Sequence, residues 1–452
     1  MMQDDLTHDN FDFRGFSKEN RHETELIRDE EERASKKPAK AGKAGKNKAG
    51  KNKAGKNSKD AGRERKAEKA GKAGKAGNAE KKAAVSAKPQ GKRPLLFTPM
   101  QLRGLTVRNR VWLPPMDTYS AYAWDGKPTP FHYQHYVSRA LGGFGLIIAE
   151  ATAVCPEGRI SPKDVGLWED SQIEAWRWIV QGVRDAGAAM AVQLNHAGRK
   201  GSTGCFGVGH DGESVPVEEG GWQTVAPSPN AYGSYAVPRE LSVDEIHTIV
   251  GQFAAAAGRA VAAGFQAVEI HAAHGYLISQ FLDPLVNERT DEYGGDLNGR
   301  MRFLVEIVDA VRATIPQDMP LLVRISATDW AAGGWDLGQT VAASRVLKDH
   351  GVDLVDVSTG GIVPDVTIPV KSNYQVPFAA QVRAQAGVPT TAVGLITKPK
   401  QAEKILRAEW ADAIEIGRAA LREPAWPMRA AHKLGLAPAD LPYPDQYVRG
   451  AY

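Results

Sequence analysis

The stretch Val268-Glu269-Ile270-His271-Ala272-Ala273-His274-Gly275-Tyr276-Leu277 decides how the chain is read. A short apolar run stops at Ile270, and two imidazoles and a phenol follow at once. A strand that ends in hydrogen-bond donors has the form of one reaching the C-terminal mouth of a parallel barrel. His271 and His274 are three residues apart and Gly275 lets the chain turn, so both rings can face one point. Two neutral N–H groups aimed at a carbonyl oxygen stabilise the negative charge that develops there when a hydride adds to a conjugated alkene. Tyr276 could then deliver a proton to the alpha carbon. The same residues could instead be satisfied loop histidines and a core-packed tyrosine. A zinc site is the weaker reading, because HxxH lacks a third convergent ligand and Cys155 and Cys205 lie far away in sequence; no metal is expected.

Working outward, eight short runs rich in β-branched residues recur, at 110–114, 145–151, 189–194, 267–271, 321–325, 354–358, 390–394 and 413–417. Each leads into a helical pattern or a Gly/Pro-rich loop. Ser242 before Val243-Asp244-Glu245 has capping-box form, and that helix should stop at Gly264. Similar patterns span 170–186, 300–314, 338–350 and 398–408. Strands alternating with helices imply parallel βα units, and eight of them predict an α/β fold of one closed eight-stranded TIM barrel. An open doubly wound sheet is the alternative, but it would carry GxGxxG after its first strand, where this chain has Pro114-Pro115-Met116-Asp117.

In a barrel, chemistry belongs at the strand C-termini. There the chain places Asp117 and Tyr119 after the first strand, Glu150-Ala151-Thr152 after the second and Gln193 on the third. Arg324 ends the fifth, Ser358-Thr359-Gly360-Gly361 the sixth, Gly394 the seventh and Gly417-Arg418 the eighth. Glycines after strands seven and eight beside an arginine form a barrel phosphate site, where backbone N–H groups and a guanidinium meet an anion. With an amide and a guanidinium deep in the mouth, this suits FMN: a glutamine can bond the pyrimidine edge of the ring, and an arginine stabilises the reduced ring's charge.

Composition bounds the rest. The chain has 452 residues and a formal net charge of +4. Residues 1–32 carry seven more acids than bases and residues 33–93 carry 18 more bases than acids, so the segment is +11 and the remainder −7. The basicity therefore belongs to residues 1–93, a Lys/Ala/Gly repeat with almost nothing to build a core, which is expected to be a disordered tail preceding a domain at 94–452. Such a tail is usually solvated; a tether to nucleic acid or an anionic membrane is the alternative. No run of about 18 apolar residues is present, so no membrane span is expected. The absence of a secretory pattern and the low cysteine count point to the cytoplasm.

The chain from Leu96 to Tyr452 resembles the Old Yellow Enzyme family of flavin-dependent ene-reductases, in particular its shorter, thermophilic-like branch. The resemblance rests on Asn109-Arg110-Val111, Pro115-Met116, Glu150-Ala151-Thr152, Gln193-Leu194-Asn195-His196-Ala197-Gly198-Arg199, His271-Ala272-Ala273-His274-Gly275-Tyr276, Asn287-Glu288-Arg289-Thr290-Asp291-Glu292-Tyr293-Gly294-Gly295 and Gln446-Tyr447-Val448-Arg449-Gly450, in family order. It implies a barrel holding FMN non-covalently, reduced by NAD(P)H and oxidised by an activated alkene. It further implies that Pro115, Met116, Ala151, Gln193 and Arg324 contact the flavin ring, and that Gly361, Gly394, Gly417 and Arg418 hold its phosphate end. His271 and His274 would bind the substrate carbonyl, Tyr276 would donate the proton, and Tyr119 would be a second substrate contact. Arg449 would reach a neighbouring protomer's site in a homo-oligomer. Asp117 stands where relatives of this branch carry a cysteine near the flavin, and it is expected to tune the redox potential. Two cysteines exclude the relatives that ligate an iron–sulfur cluster. The competing reading is a flavin-holding barrel that acts mainly as a binding protein tethered by its tail.

Overall fold

The computed structural model describes residues 93–205, 207–437, 440 and 443–451. Eight parallel strands close on themselves: β1 Val111–Leu113, β2 Leu146–Ala153, β3 Ala189–Asn195, β4 Ala267–Ala272, β5 Leu321–Ser326, β6 Leu354–Ser358, β7 Thr390–Ala392 and β8 Ala413–Glu415. Each is followed by an outer helix: α1 Pro130–Leu141, α2 Ser171–Asp185, α3 Val243–Ala263, α4 Leu297–Thr314, α5 Leu337–Asp349, α6 Val376–Ala386, α7 Pro399–Arg407 and α8 Trp426–Lys433. The expected TIM barrel is thus observed. β7 and β8 are two residues shorter than their apolar runs, because the chain leaves the ladder at the mouth. The tail expected over residues 1–93 lies, apart from Arg93, outside the described residues. Among the described residues no helix is long and apolar enough to cross a membrane.

Local signals act as their chemistry requires. Ser242 Oγ accepts from Glu245 N at 3.3 Å while Glu245 Oε2 accepts from Ser242 N at 2.9 Å, which satisfies two orphan donors at the start of α3. Gly264 ends that helix with φ +94°.

The barrel interior is built in tiers by the two-residue period of its strands. The lowest tier is apolar: Trp112, Leu146, Ile148, Ala191, Leu322 and Leu354 pack together over a hairpin that contributes Met100, Leu102 and Val107. Fully burying one such large side chain is worth about 1.5–3 kcal/mol. Two residues further along β3, β4, β5, β6 and β8 the side chains turn polar, as Gln193, Glu269, Arg324, Asp356 and Glu415, all buried. Two further still is the mouth, with His271, Ser326 and Ser358.

A bulge breaks this period in β2. Its register with β3 shifts between Ala149 and Ala151, so Ile148 lies in the lower interior cluster while Glu150 is turned toward α1, where Tyr136 meets it. Ala151 consequently packs with Ile160, Ala197 and Tyr276 beside the mouth. One extra residue re-aims two side chains.

Candidate active site

The histidine turn is held by contacts that its own sequence does not announce. His274 has φ +61° and Gly275 +72°, a left-handed pair. A Cβ on Gly275 would stand 2.1 Å from Gly361 O, and one on Gly361 2.5 Å from the His274 backbone, so both glycines are required where the loops after β4 and β6 touch. Lys200 Nζ donates to His274 O at 2.8 Å and Gly361 O at 3.2 Å, clamping that crossing. Its ammonium lies 4.6 Å and 5.0 Å from the ring centroids of Tyr232 and Tyr276, and burial lowers its pKa to about 8. Ser326 Oγ accepts from His274 N at 2.9 Å.

The two imidazoles meet at right angles with centroids 5.1 Å apart. Ala273 N donates to His271 Nδ1 at 3.3 Å, which puts the hydrogen of that ring on Nε2, 3.4 Å from His274 Nδ1. His274 Nε2 is 2.8 Å from Ser358 Oγ, which donates in turn to Gln375 Oε1 at 3.3 Å. The tautomers follow from these partners. The expected convergence of both N–H groups on one open point is therefore modified: the rings are adjacent at the mouth, and their hydrogens run in series toward Ser358. Burial first, then the charges of Arg324 and Lys200, depress both imidazole pKa values well below 6.5, so the pair is neutral. Tyr276 stands edge-on to His271 at 5.0 Å, and burial raises its phenol well above 10.

Around this turn the mouth gathers most of the predicted residues. Pro115, Met116, Asp117, Thr118 and Tyr119 follow β1 and are half-buried. The Cβ position of Gly417 lies 3.6 Å from both Met116 Sδ and Pro114 Cγ, which brings the ends of β8 and β1 together. Gly394, with φ +123°, is covered by the backbone of Gln375. Arg418 opens a short helix, Arg418–Arg422, with its side chain exposed at the rim. A side chain at Gly361 would collide with the His274 backbone, which by itself requires glycine there. Arg449 is exposed in a single turn, Asp445–Gly450, that has no buried residue.

Asp117 Oδ1 accepts from Ala151 N at 3.1 Å, and burial together with the Glu150 charge raises its carboxyl to about 7. Glu150 is itself raised to about 7 by burial, opposed by bonds from Thr118 N at 2.8 Å and the Tyr136 hydroxyl at 2.8 Å.

The floor beneath is charged, which reading the strand ends alone did not reveal. Arg324 Nε lies 2.9 Å from Asp356 Oδ2, and its Nη2 lies 3.8 Å from Glu415 Oε2. Thr391 Oγ1 donates to Asp356 Oδ1 at 2.6 Å, and Gln193 Nε2 donates to Glu269 Oε1 at 2.8 Å. Glu269, Asp356 and Glu415 each stand two residues before a mouth residue, so strand parity was the signal that could have found them. Lys200 and Ser326 carried no comparable signal, whereas Ser358 already stood at the end of the sixth strand run.

The donors present suit a flavin. Gln193 and Arg324 offer an amide and a cation from below, Ala151 and Met116 offer apolar surface, and Gly394 and Gly417 follow β7 and β8 near the exposed Arg418. Among the described residues no cluster of metal-ligating side chains occurs.

Comparison with known proteins agrees. Residues 95–437 match the NADH:flavin oxidoreductase / NADH oxidase family. The chain is 44% identical over 356 residues to the NADPH dehydrogenase of Bacillus subtilis (strain 168), covering 78% of this chain and 98% of that protein. It is 45% identical over 357 residues to the NADPH dehydrogenase of Geobacillus thermodenitrificans (strain NG80-2), covering 79% and 98%. Among solved structures, the Old Yellow Enzyme homologue from Zymomonas mobilis is similar with a TM-score of 0.63 at 32% identity, covering 76% of this chain and 94% of that one. Morphinone reductase in complex with tetrahydroNAD is similar with a TM-score of 0.63 at 30% identity, covering 79% and 94%. The chain belongs to the NADH:flavin oxidoreductase / NADH oxidase family, in the Old Yellow Enzyme group, and is an FMN-dependent oxidoreductase with NAD(P)H as hydride donor.

Proposed function

We propose that this oxidoreductase reduces the carbon–carbon double bond of activated alkenes such as enones, enals, maleimides and nitroalkenes. The observation that carries the reading is the neutral His271/His274 pair standing next to Tyr276 above a floor of Gln193 and Arg324. When bound, FMN supplies hydride transfer at its N5. His271 and His274 polarise the alkene's carbonyl or nitro oxygen through N–H donors that need not lose a charge. A substrate oxygen competes with Ser358 for the His274 hydrogen, so binding redirects a bond already formed. Tyr276, its phenol kept protonated by burial, delivers the proton to the alpha carbon.

Pro115, Met116, Ala151, Gln193 and Arg324 face the ring in this reading; Gly394, Gly417 and Arg418 take the phosphate, with Gly361 shaping the loop crossing. Tyr119 flanks the substrate, and the exposed Arg449 is available to a neighbouring copy of the chain. Stopped-flow half-reactions test the site. His274→Ala should slow reoxidation of the reduced enzyme by an enone about 10²-fold, the usual loss for one oxyanion donor, with a much smaller effect on reduction by NADPH. Equal losses in both halves would mean the loop has collapsed and would remove the support for a carbonyl anchor.

A further inference from the structure

The charged tier under the mouth holds three carboxylates, Glu269, Asp356 and Glu415, against a single guanidinium, Arg324, and each carboxylate residue is at most 1% exposed. Glu269 Oε2, Asp356 Oδ2 and both oxygens of Glu415 are buried without a hydrogen-bond partner. Arg324 lies 2.9 Å from Asp356 Oδ2, yet its Nε–H is not directed at that oxygen, so proximity and hydrogen bonding diverge there. With every group ionised the tier would carry two uncompensated negative charges in a dry interior, which is untenable; protons must reside there.

Glu269 is the member of the tier tied to the cofactor site by a direct bond. One oxygen takes the Gln193 Nε2 hydrogen at 2.8 Å; the other has no partner. A carboxylate here accepts from the Gln193 amide nitrogen and turns the amide carbonyl away from itself. A carboxylic acid can donate to the amide oxygen instead, which turns the amide NH2 toward the mouth. The two protonation states thus present opposite ends of one amide to whatever lies above it.

We propose that Glu269 is a positioning residue that takes up a proton when the bound cofactor gains negative charge and, through Gln193, offers that charge an N–H donor. The proposal rests on the reading that Gln193 and Arg324 face the flavin ring. The balance is simple. A hydride from NAD(P)H carries one negative charge onto the cofactor and releases NAD(P)+, and one solvent proton forms an O–H bond on the Glu269 carboxylate. When substrate removes the hydride, that O–H bond breaks and the proton returns to solvent.

The groups facing Glu269 are Gln193 from β3, Arg324 from β5 and Asp356 from β6, with Glu415 of β8 across the same tier. Burial and the Asp356 charge raise the Glu269 carboxyl to about 8, against the lowering effects of Arg324 and the Gln193 bond. Glu415 is likewise pushed well above the usual carboxylate range by burial and by Asp356, and it is Glu269, bonded to Gln193, that reaches the cofactor site.

The test is proton uptake when stoichiometric NADPH reduces the anaerobic holoenzyme in weakly buffered solution containing a pH indicator. Hydride transfer alone consumes no proton. Wild type should take up almost none near pH 6, where Glu269 is already protonated, rising toward about one per cofactor near pH 9. Glu269→Gln, which keeps the shape and cannot ionise, should abolish the uptake. Uptake in Glu269→Gln equal to wild type overturns the proposal. If that variant does not hold FMN, the wild-type profile still decides: no uptake near pH 9 overturns it. A protein whose cofactor NADPH does not reduce at all would instead count against the oxidoreductase assignment.

Discussion

The lower and middle tiers of the barrel interior are neighbours two residues apart on the same strands, and they are built on opposite terms. Below, Trp112, Leu146, Ile148, Leu322 and Leu354 contribute a single side-chain polar atom, the Trp112 indole nitrogen, which donates to Asn109 O at 3.1 Å. Above, Arg324 and three acids are buried with several oxygens unpartnered. Apolar burial stabilises the fold without directing chemistry. Buried charge does the reverse, because desolvation roughly cancels attraction while the remaining field acts on whatever lies nearby. The contrast sets a fold stabilised from the bottom of the barrel beside a buried charged layer directly under the mouth.

The sharpest way to break that contrast is to hollow the lower tier. Trp112→Ala should lower unfolding free energy by about 3–5 kcal/mol, the usual range for a fully buried tryptophan. Molecules that remain folded should keep their flavin spectrum. If chemical denaturation shows a loss below about 1 kcal/mol, the lower tier is not the stability centre.

The converse change is Glu415→Leu, which replaces a buried carboxyl 3.8 Å from Arg324 Nη2 with an apolar group. Stability should be unchanged or should rise by about 1–4 kcal/mol. The sign of the pH dependence follows from the raised carboxyls. A carboxyl whose folded pKa exceeds its unfolded value favours the folded state at low pH, and that contribution is lost as pH rises toward the folded pKa. Glu269, Glu150 and Asp117, raised to about 8, 7 and 7, should make wild-type stability decline between about pH 4.5 and 8. Glu415→Leu should make this decline shallower by removing one raised carboxyl from it. A steeper decline, or a loss of several kcal/mol, would mean that Glu415 is paired and ionised.

The smallest expected effect is at the rim. Asp117→Asn should raise the flavin midpoint potential above pH 7, where the wild-type carboxyl ionises, and leave it nearly unchanged below. For a charge about 5 Å from the ring at an effective ε near 20 the ceiling is roughly 3 kcal/mol, cut further by Arg324 and solvent. Identical potentials for both proteins at pH 9 would place Asp117 out of reach of the ring.

Much of this was written in local pattern. Eight β-branched runs separated by helical periods predicted the barrel, because parallel strands need crossovers and each signal is carried by consecutive residues. The Ser242 cap and the Gly264 stop were legible for the same reason. The mouth residues His271, His274, Tyr276 and Gly417, and Gln193 just beneath them, could be named because they lie at or beside strand ends, where a barrel puts its chemistry.

Tertiary structure decided what depends on several strands at once. The bulge that turns Glu150 toward Tyr136 and leaves Ala151 at the mouth exists only in the register between β2 and β3. Gly361 is a glycine because the loop from β6 touches the turn after β4. The histidine hydrogens run toward Ser358 because β6 brings that hydroxyl alongside. Three acids gather around one arginine because barrel closure sets β4, β5, β6 and β8 about a common axis. Sequence alone determined the elements and the donor types, since those follow from short-range periodicity. Which donors meet, and at what pKa, followed only from closure, because desolvation and Coulomb interactions depend on distance through space and not along the chain.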